Sequence, residues 1–158
     1  MSSDGTDPRN CSKHFHLLHG LILFAAAAFA VSCGVRSERR ELPPEVEAVV
    51  TAIGEDIAQA RYEKIYSESA DLWKQDSTLE ESTAALKTIA EKLGKVKNRT
   101  LHSAIEQHNS GGDLKGRVFI LTYQTTFERG EGMENFTLVE RDHQWLLARY
   151  RVNSTALK

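Results

Sequence analysis

The 158 residues carry 20 basic and 22 acidic side chains, a net charge of -2 and an isoelectric point near 6.3. That length holds one ordinary domain. An apolar content of 41% with 27% charge excludes a disordered or collagen-like chain, and the balanced charge gives no electrostatic footprint for nucleic acid. Two cysteines build neither a disulfide framework nor a four-cysteine zinc site.

The apolar residues crowd near the start of the chain. Leu17 to Val31 is an uncharged run of 15 positions interrupted by His19, with Arg9 and Lys13 ahead of it. A bilayer-spanning helix needs about 20 apolar residues, so the run is short for a span and suits the apolar region of a secretory signal. Ala30-Val31-Ser32-Cys33 follows, with small residues where a peptidase pocket must accept them. This segment resembles a bacterial lipoprotein signal, whose motif ends in a cysteine. The resemblance implies cleavage after residue 32 and attachment of a diacylglycerol to the Cys33 thiol. A further acyl chain on the freed amino group would make anchoring firm. The alternative is an ordinary cleaved signal or single-pass anchor in which Cys33 is incidental. Ala30 departs from the usual leucine, and Asp4 and Asp7 suggest a later start codon. Gly34 after the cysteine favours the outer membrane, facing the periplasm, over retention at the inner one. Cys11 and the histidines His14, His16 and His19 leave with the signal. The three Asn-x-Ser/Thr sequons at Asn98, Asn135 and Asn153 carry little meaning in a bacterium.

Residues 33–43 read as the lipidated cysteine and a polar tether. Residues 44–153 read as a single domain. Pro43-Pro44 favours a helix opening, and Val46, Val49, Val50, Ile53 and Ile57 follow helical spacing. Tyr62, Ile65, Tyr66 and Ser69 begin a second short helical face closed by Leu72 and Trp73. Ser77 with Glu80 matches a capping box, and Leu86, Ile89, Ala90 and Leu93 form a third helix that Gly94 stops. The period then becomes two. Strands are expected around Leu101–Glu106, Arg117–Phe127, Glu134–Arg141 and Gln144–Val152, with turns at Ser110–Gly112, Gly130–Gly132 and Asp142–His143. About three helices packed on a four-stranded antiparallel sheet make an α+β fold.

Strict alternation puts Phe119, Leu121, Tyr123 and Phe127 on one sheet face, and Val118 and Ile120 on the other. In the last strand it separates Leu146, Ala148, Tyr150 and Val152 from Trp145, Leu147, Arg149 and Arg151. With helices on a single face, Val118, Ile120, Trp145 and Leu147 form a candidate interface for a second copy or an envelope partner. The other reading has sheet curl or the long first helix covering them.

The segment from Pro44 to Val152 resembles small bacterial envelope proteins of unknown function with a cystatin-like or nuclear-transport-factor-2-like fold. The resemblance rests on Ala60-Arg61-Tyr62-Glu63-Lys64-Ile65-Tyr66, Trp73, Leu93-Gly94-Lys95-Val96-Lys97-Asn98-Arg99, and the strand segments Tyr123–Phe127, Phe136–Val139 and Gln144–Tyr150. That fold hosts enzymes, ligand binders and dimerisation modules, so it assigns no activity. It implies a candidate ligand cavity at Tyr62, Tyr66, Arg99 and Tyr123. The chain shows no metalloprotease, phosphate-loop, nucleophile-elbow or paired-cysteine metal motif. Catalytic residues, cofactors and metals are therefore not expected. His102, Glu106 and His108 share a strand face by spacing, which is read as the solvated face rather than a metal site. The expectation is a lipid-anchored, non-enzymatic interaction or dimerisation domain. The alternative is a small-molecule binder or enzyme using a helix–sheet cavity.

Overall fold

The computed structural model describes residues 36–38 and 41–158. The signal expected at 1–32 and the lipidation site Cys33 lie outside the described residues. A short strand, β1 (Arg36–Glu38), precedes helices α1 (Pro44–Ala58), α2 (Tyr62–Ser67), α3 (Asp71–Asp76) and α4 (Leu79–Leu93). Strands β2 (Val96–Asn109), β3 (Gly116–Phe127), β4 (Gly130–Arg141) and β5 (Gln144–Asn153) follow, and a 3-10 turn at Thr155–Leu157 ends the chain. The class is α+β; the described residues form four helices and five strands, where about three and four were expected. Among the described residues no helix is long and apolar enough to cross a membrane.

Pro44 opens α1 at a position whose N–H has no helical acceptor, and Val46, Val50 and Ile53 bury one stripe. The helix stops where Ala60 takes φ 54°, which turns the Arg61 N–H back onto the Asp56 carbonyl at 2.8 Å. Asp56 is buried beneath this corner, where Arg61 Nε and Lys64 Nζ donate to its carboxylate at 2.6 and 2.8 Å. Burial pushes the Asp56 carboxyl up, but bonds and charge from Lys64 and Arg61 outweigh it and hold the group below its usual value.

The segment expected as one helical face from Tyr62 to Trp73 divides into α2 and α3. Ser69 Oγ donates to the Tyr66 carbonyl, and the Ala70 N–H goes to the Leu147 carbonyl of β5. The capping box lies one residue later than expected: the Thr78 hydroxyl accepts from the Glu81 N–H, and the Glu81 carboxylate accepts from the Thr78 N–H. Ser77 instead ends α3 and accepts from Ser82. Leu86 and Leu93 are buried on α4, and Gly94 ends it as expected, at φ 74°.

All five strands are antiparallel in the order β1-β2-β3-β4-β5. The chain expected as a solvated tether supplies β1, which adds to the open edge of β2 with Arg36 opposite Gln107 and Glu38 opposite Ile105. The β3–β4 turn is Glu128-Arg129, two residues before the expected glycines, and Gly130 and Gly132 belong to β4. Asp142 and His143 both take positive φ, the twist that a two-residue hairpin requires.

Register shifts interrupt the ladders at three places; one lies between Val96 and Asn98, and the other two are bulges that change which face expected residues occupy. In β5, Leu147 pairs with Leu138 while Arg149 pairs with Thr137, so Ala148 is the extra residue. One inserted residue moves everything beyond it to the opposite face. Trp145 and Leu147 therefore join Phe119, Leu121, Phe136 and Leu138 on the face covered by α1 and α4, and Tyr150 joins them beyond the bulge. Val118 and Ile120 lie on the other face with Val139, Leu146 and Ala148, packed against Ala70, Leu72 and Leu114. The four residues expected as one apolar interface are thus divided between two faces. Val118, Trp145 and Leu147 are buried, and Ile120 is half-buried. Ala70 and Leu72 at the start of α3, with Leu114 of the β2–β3 loop, supply the cover on the second face rather than α1. The other bulge lies at His102, between the pairs Leu101–Tyr123 and Ser103–Thr122. It puts Leu101 in phase with buried Ala104 and takes exposed His102 out of phase with Glu106, which Arg117 engages at 2.9 Å. The face read as solvated is therefore a core face at Ala104.

Candidate functional site

The helix-covered face carries a carboxylate in its apolar centre. Glu134 on β4 stands opposite Tyr123 of β3 and Val152 of β5, and its side chain is fully buried. Arg99, opposite Thr125 in the β2–β3 ladder, reaches across β3 and donates from Nε and Nη2 to the two Glu134 oxygens at 2.6 and 2.9 Å. The Thr125 hydroxyl donates to Oε2 at 2.5 Å and the Tyr150 hydroxyl to Oε1 at 2.7 Å. Each carboxylate oxygen therefore accepts two hydrogen bonds, which is what makes a buried charge tolerable.

The aromatic neighbours fix the cation. The Arg99 guanidinium lies 5.8 Å from the Tyr123 ring centre and 5.5 Å from that of Phe136, within range of cation–π attraction. Phe136 in turn packs on Tyr150 and Tyr123. Burial pushes the Tyr150 hydroxyl well above its usual pKa, and the charge and hydrogen bond of Glu134 add to the rise; Arg99 opposes it. Tyr123 is raised for the same leading reason, again opposed by Arg99. Both phenols stay protonated at neutral pH.

Above this cluster, between α1, α4 and the Val96/Phe127 end of the sheet, lies a cavity of about 560 Å³. Ile57, Tyr62, Ile89, Val96 and Phe127 give it apolar walls, and Arg99, Glu134 and Tyr150 form its polar floor. Glu55 and Glu128 on the lining are matched by Lys95 and Arg129. The size falls within the interval of about 300–1,000 Å³ typical of small-molecule pockets. Gly54 of α1 permits the arrangement, because a Cβ there would stand 3.0 Å from Arg99 Nη1. The wall at the end of α4 is pinned by the β3–β4 turn: Arg129 donates to the carbonyls of Ala90, Glu91 and Lys92, and its N–H to that of Leu93.

Of the four residues expected at a cavity, Tyr62 and Arg99 line it. Tyr123 packs against Arg99 beneath the floor, and Tyr66 faces elsewhere, donating to the Ser77 carbonyl at 3.2 Å. Arg99 pairs with a carboxylate from a distant strand. Sequence reasoning missed Glu134, Thr125 and the role of Tyr150. The signal for the first two was alternation itself, since Glu134 is in phase with Phe136 and Leu138, and Thr125 with Tyr123 and Phe127.

Residues 51–150 match a family model described as protein of unknown function, DUF4019. The chain belongs to this family. The matched DUF4019 segment holds Arg99, Thr125, Glu134, Tyr150 and most of the cavity walls. No curated protein and no solved structure matches the chain.

Proposed function

We propose that this DUF4019 protein is a lipid-anchored protein of the bacterial cell envelope whose α+β body binds a small molecule between α1, α4 and the sheet. The cavity over the Arg99–Glu134 pair carries the reading. The helices-first order, the antiparallel meander and a cavity between them also support the cystatin-like or nuclear-transport-factor-2-like assignment. The signal-like segment ending at Cys33 supports the anchor and the outer-membrane location.

The floor favours binding over catalysis. A general base must have a lone pair to offer, and both Glu134 oxygens already accept two donors each. The Tyr150 hydroxyl donates its hydrogen bond to Glu134 and, with its pKa raised well above the usual value, keeps its proton at neutral pH. The dimerisation reading rested on a common face for Val118, Ile120, Trp145 and Leu147, which the β5 bulge divides.

The test is binding of the neutral fluorescent hydrophobe N-phenyl-1-naphthylamine to the soluble segment 34–158, a compact unit. Probe emission should rise on binding. Ala58→Trp, which fills the cavity from the end of α1, should abolish the rise without unfolding the protein. Equal emission with that variant, or none with the wild type, would reject the cavity as the binding site.

A further inference from the structure

Resting on that cavity reading, we infer that the ligand is an uncharged amphiphile: an apolar body ending in a carbonyl acceptor, such as an amide or ester, rather than a carboxylate. Arg99 has five N–H donors, of which Nε and one on Nη2 go to Glu134. No acceptor among the described residues takes the two on Nη1, and the side chain keeps 16% exposure beside the cavity. The floor thus offers a fork of unused donors with apolar walls above it, and such donors call for an acceptor.

Charge decides which acceptor. Arg99 is already neutralised by a bidentate carboxylate, so the fork presents donors without net positive charge. A second carboxylate would enter a desolvated site beside Glu134, where like charges repel strongly. Glu55 and Glu128 on the lining are matched by Lys95 and by Arg129, whose guanidinium is occupied by the carbonyls at the end of α4. No excess cation remains to compensate an anion. A carbonyl oxygen takes the same hydrogen bonds without that repulsion, while a purely apolar molecule leaves the donors unpaired and loses their discrimination.

The test compares octanamide with octanoate, nearly isosteric heads on the same chain, at a pH near 7 where the acid is ionised. Full-length protein in lipid nanodiscs is heated while emission of its two tryptophans reports unfolding, and apparent affinities come from the ligand-dependent midpoint. Octanamide should bind at least about tenfold more tightly than octanoate. Arg99→Met leaves Glu134 buried without its partner and risks unfolding. The double variant Arg99→Met/Glu134→Leu therefore replaces the pair with apolar groups, and it should lose the preference while still responding to octan-1-ol. Octanoate binding as tightly as octanamide, or a preference that survives in the double variant, would overturn the inference and leave the cavity reading intact. A wild type that responds to none of octanamide, octanoate and octan-1-ol would overturn the cavity reading itself, and this inference with it.

Discussion

Glu134 is the residue on which the interior depends most. It is fully buried, and its charge is offset by Arg99, Thr125 and Tyr150 together. Breaking a buried pair by removing one partner costs about 3–5 kcal/mol, because the remaining charge stays in the interior. Glu134→Gln should therefore lower the urea midpoint sharply. Arg99→Met/Glu134→Leu should be less destabilised than Glu134→Gln, since neither charge remains. A Glu134→Gln protein as stable as the wild type would show that the pair does not hold in solution. Tyr150 gives a prediction at high pH. Its folded pKa lies above the unfolded value of 10, so its contribution is complete below about pH 10 and falls away as pH rises through the folded value. Tyr150→Phe should lose stability at neutral pH, and its deficit relative to the wild type should shrink as pH climbs above 10. A constant deficit would count against the buried phenol.

At the scale of elements, the end of α4 combines conformation and contact. Gly94 has φ 74°, and a Cβ there would lie 2.6 Å from Glu128 Oε2 and 2.9 Å from Glu128 Cβ. Glu128 cannot simply move aside, because it accepts from the Lys95 N–H at 3.0 Å and its own N–H goes to the Lys95 carbonyl. Gly94→Ala should cost upwards of about 1 kcal/mol, read as a lower thermal midpoint. An unchanged midpoint would mean that the turn moves freely. The helix end was legible because glycine after a periodic stripe has one common local meaning. The capping box was legible only to within a residue: Ser77 with Glu80 and Thr78 with Glu81 satisfy the same pattern, and α3 claims Ser77 as its end. The strands were legible in place but not in phase. Nothing in Leu147-Ala148-Arg149 or Leu101-His102-Ser103 announces a bulge, which is settled by the neighbouring strand. The Arg99–Glu134 pair, 35 positions apart in sequence, depends on that register and could not be paired before the ladder was known.

For the whole molecule, the sequence conveyed the order of helices and strands and the α+β class, because period and punctuation are local properties. The cavity was legible only in part. Tyr62 and Arg99 were found through a family resemblance, whereas the floor assembles from three strands. The anchor is tested on the intact chain in bacteria: labelled palmitate should enter the wild type and not Cys33→Ala. Label retained by Cys33→Ala would reject lipidation at that position.

Strand β1 has a consequence for how the domain is presented to its surroundings. Arg36 is paired with Gln107, near the end of β2 that leads into the β2–β3 loop. The cavity lies toward the other end, where Val96 and Phe127 line it. Only Gly34 and Val35 lie between Cys33 and Arg36 in sequence, so three chain steps reach at most ~11 Å. If Cys33 carries the lipid proposed above, that reach keeps the Arg36 end of the sheet, with the β2–β3 loop, nearer the bilayer than the end that holds the cavity.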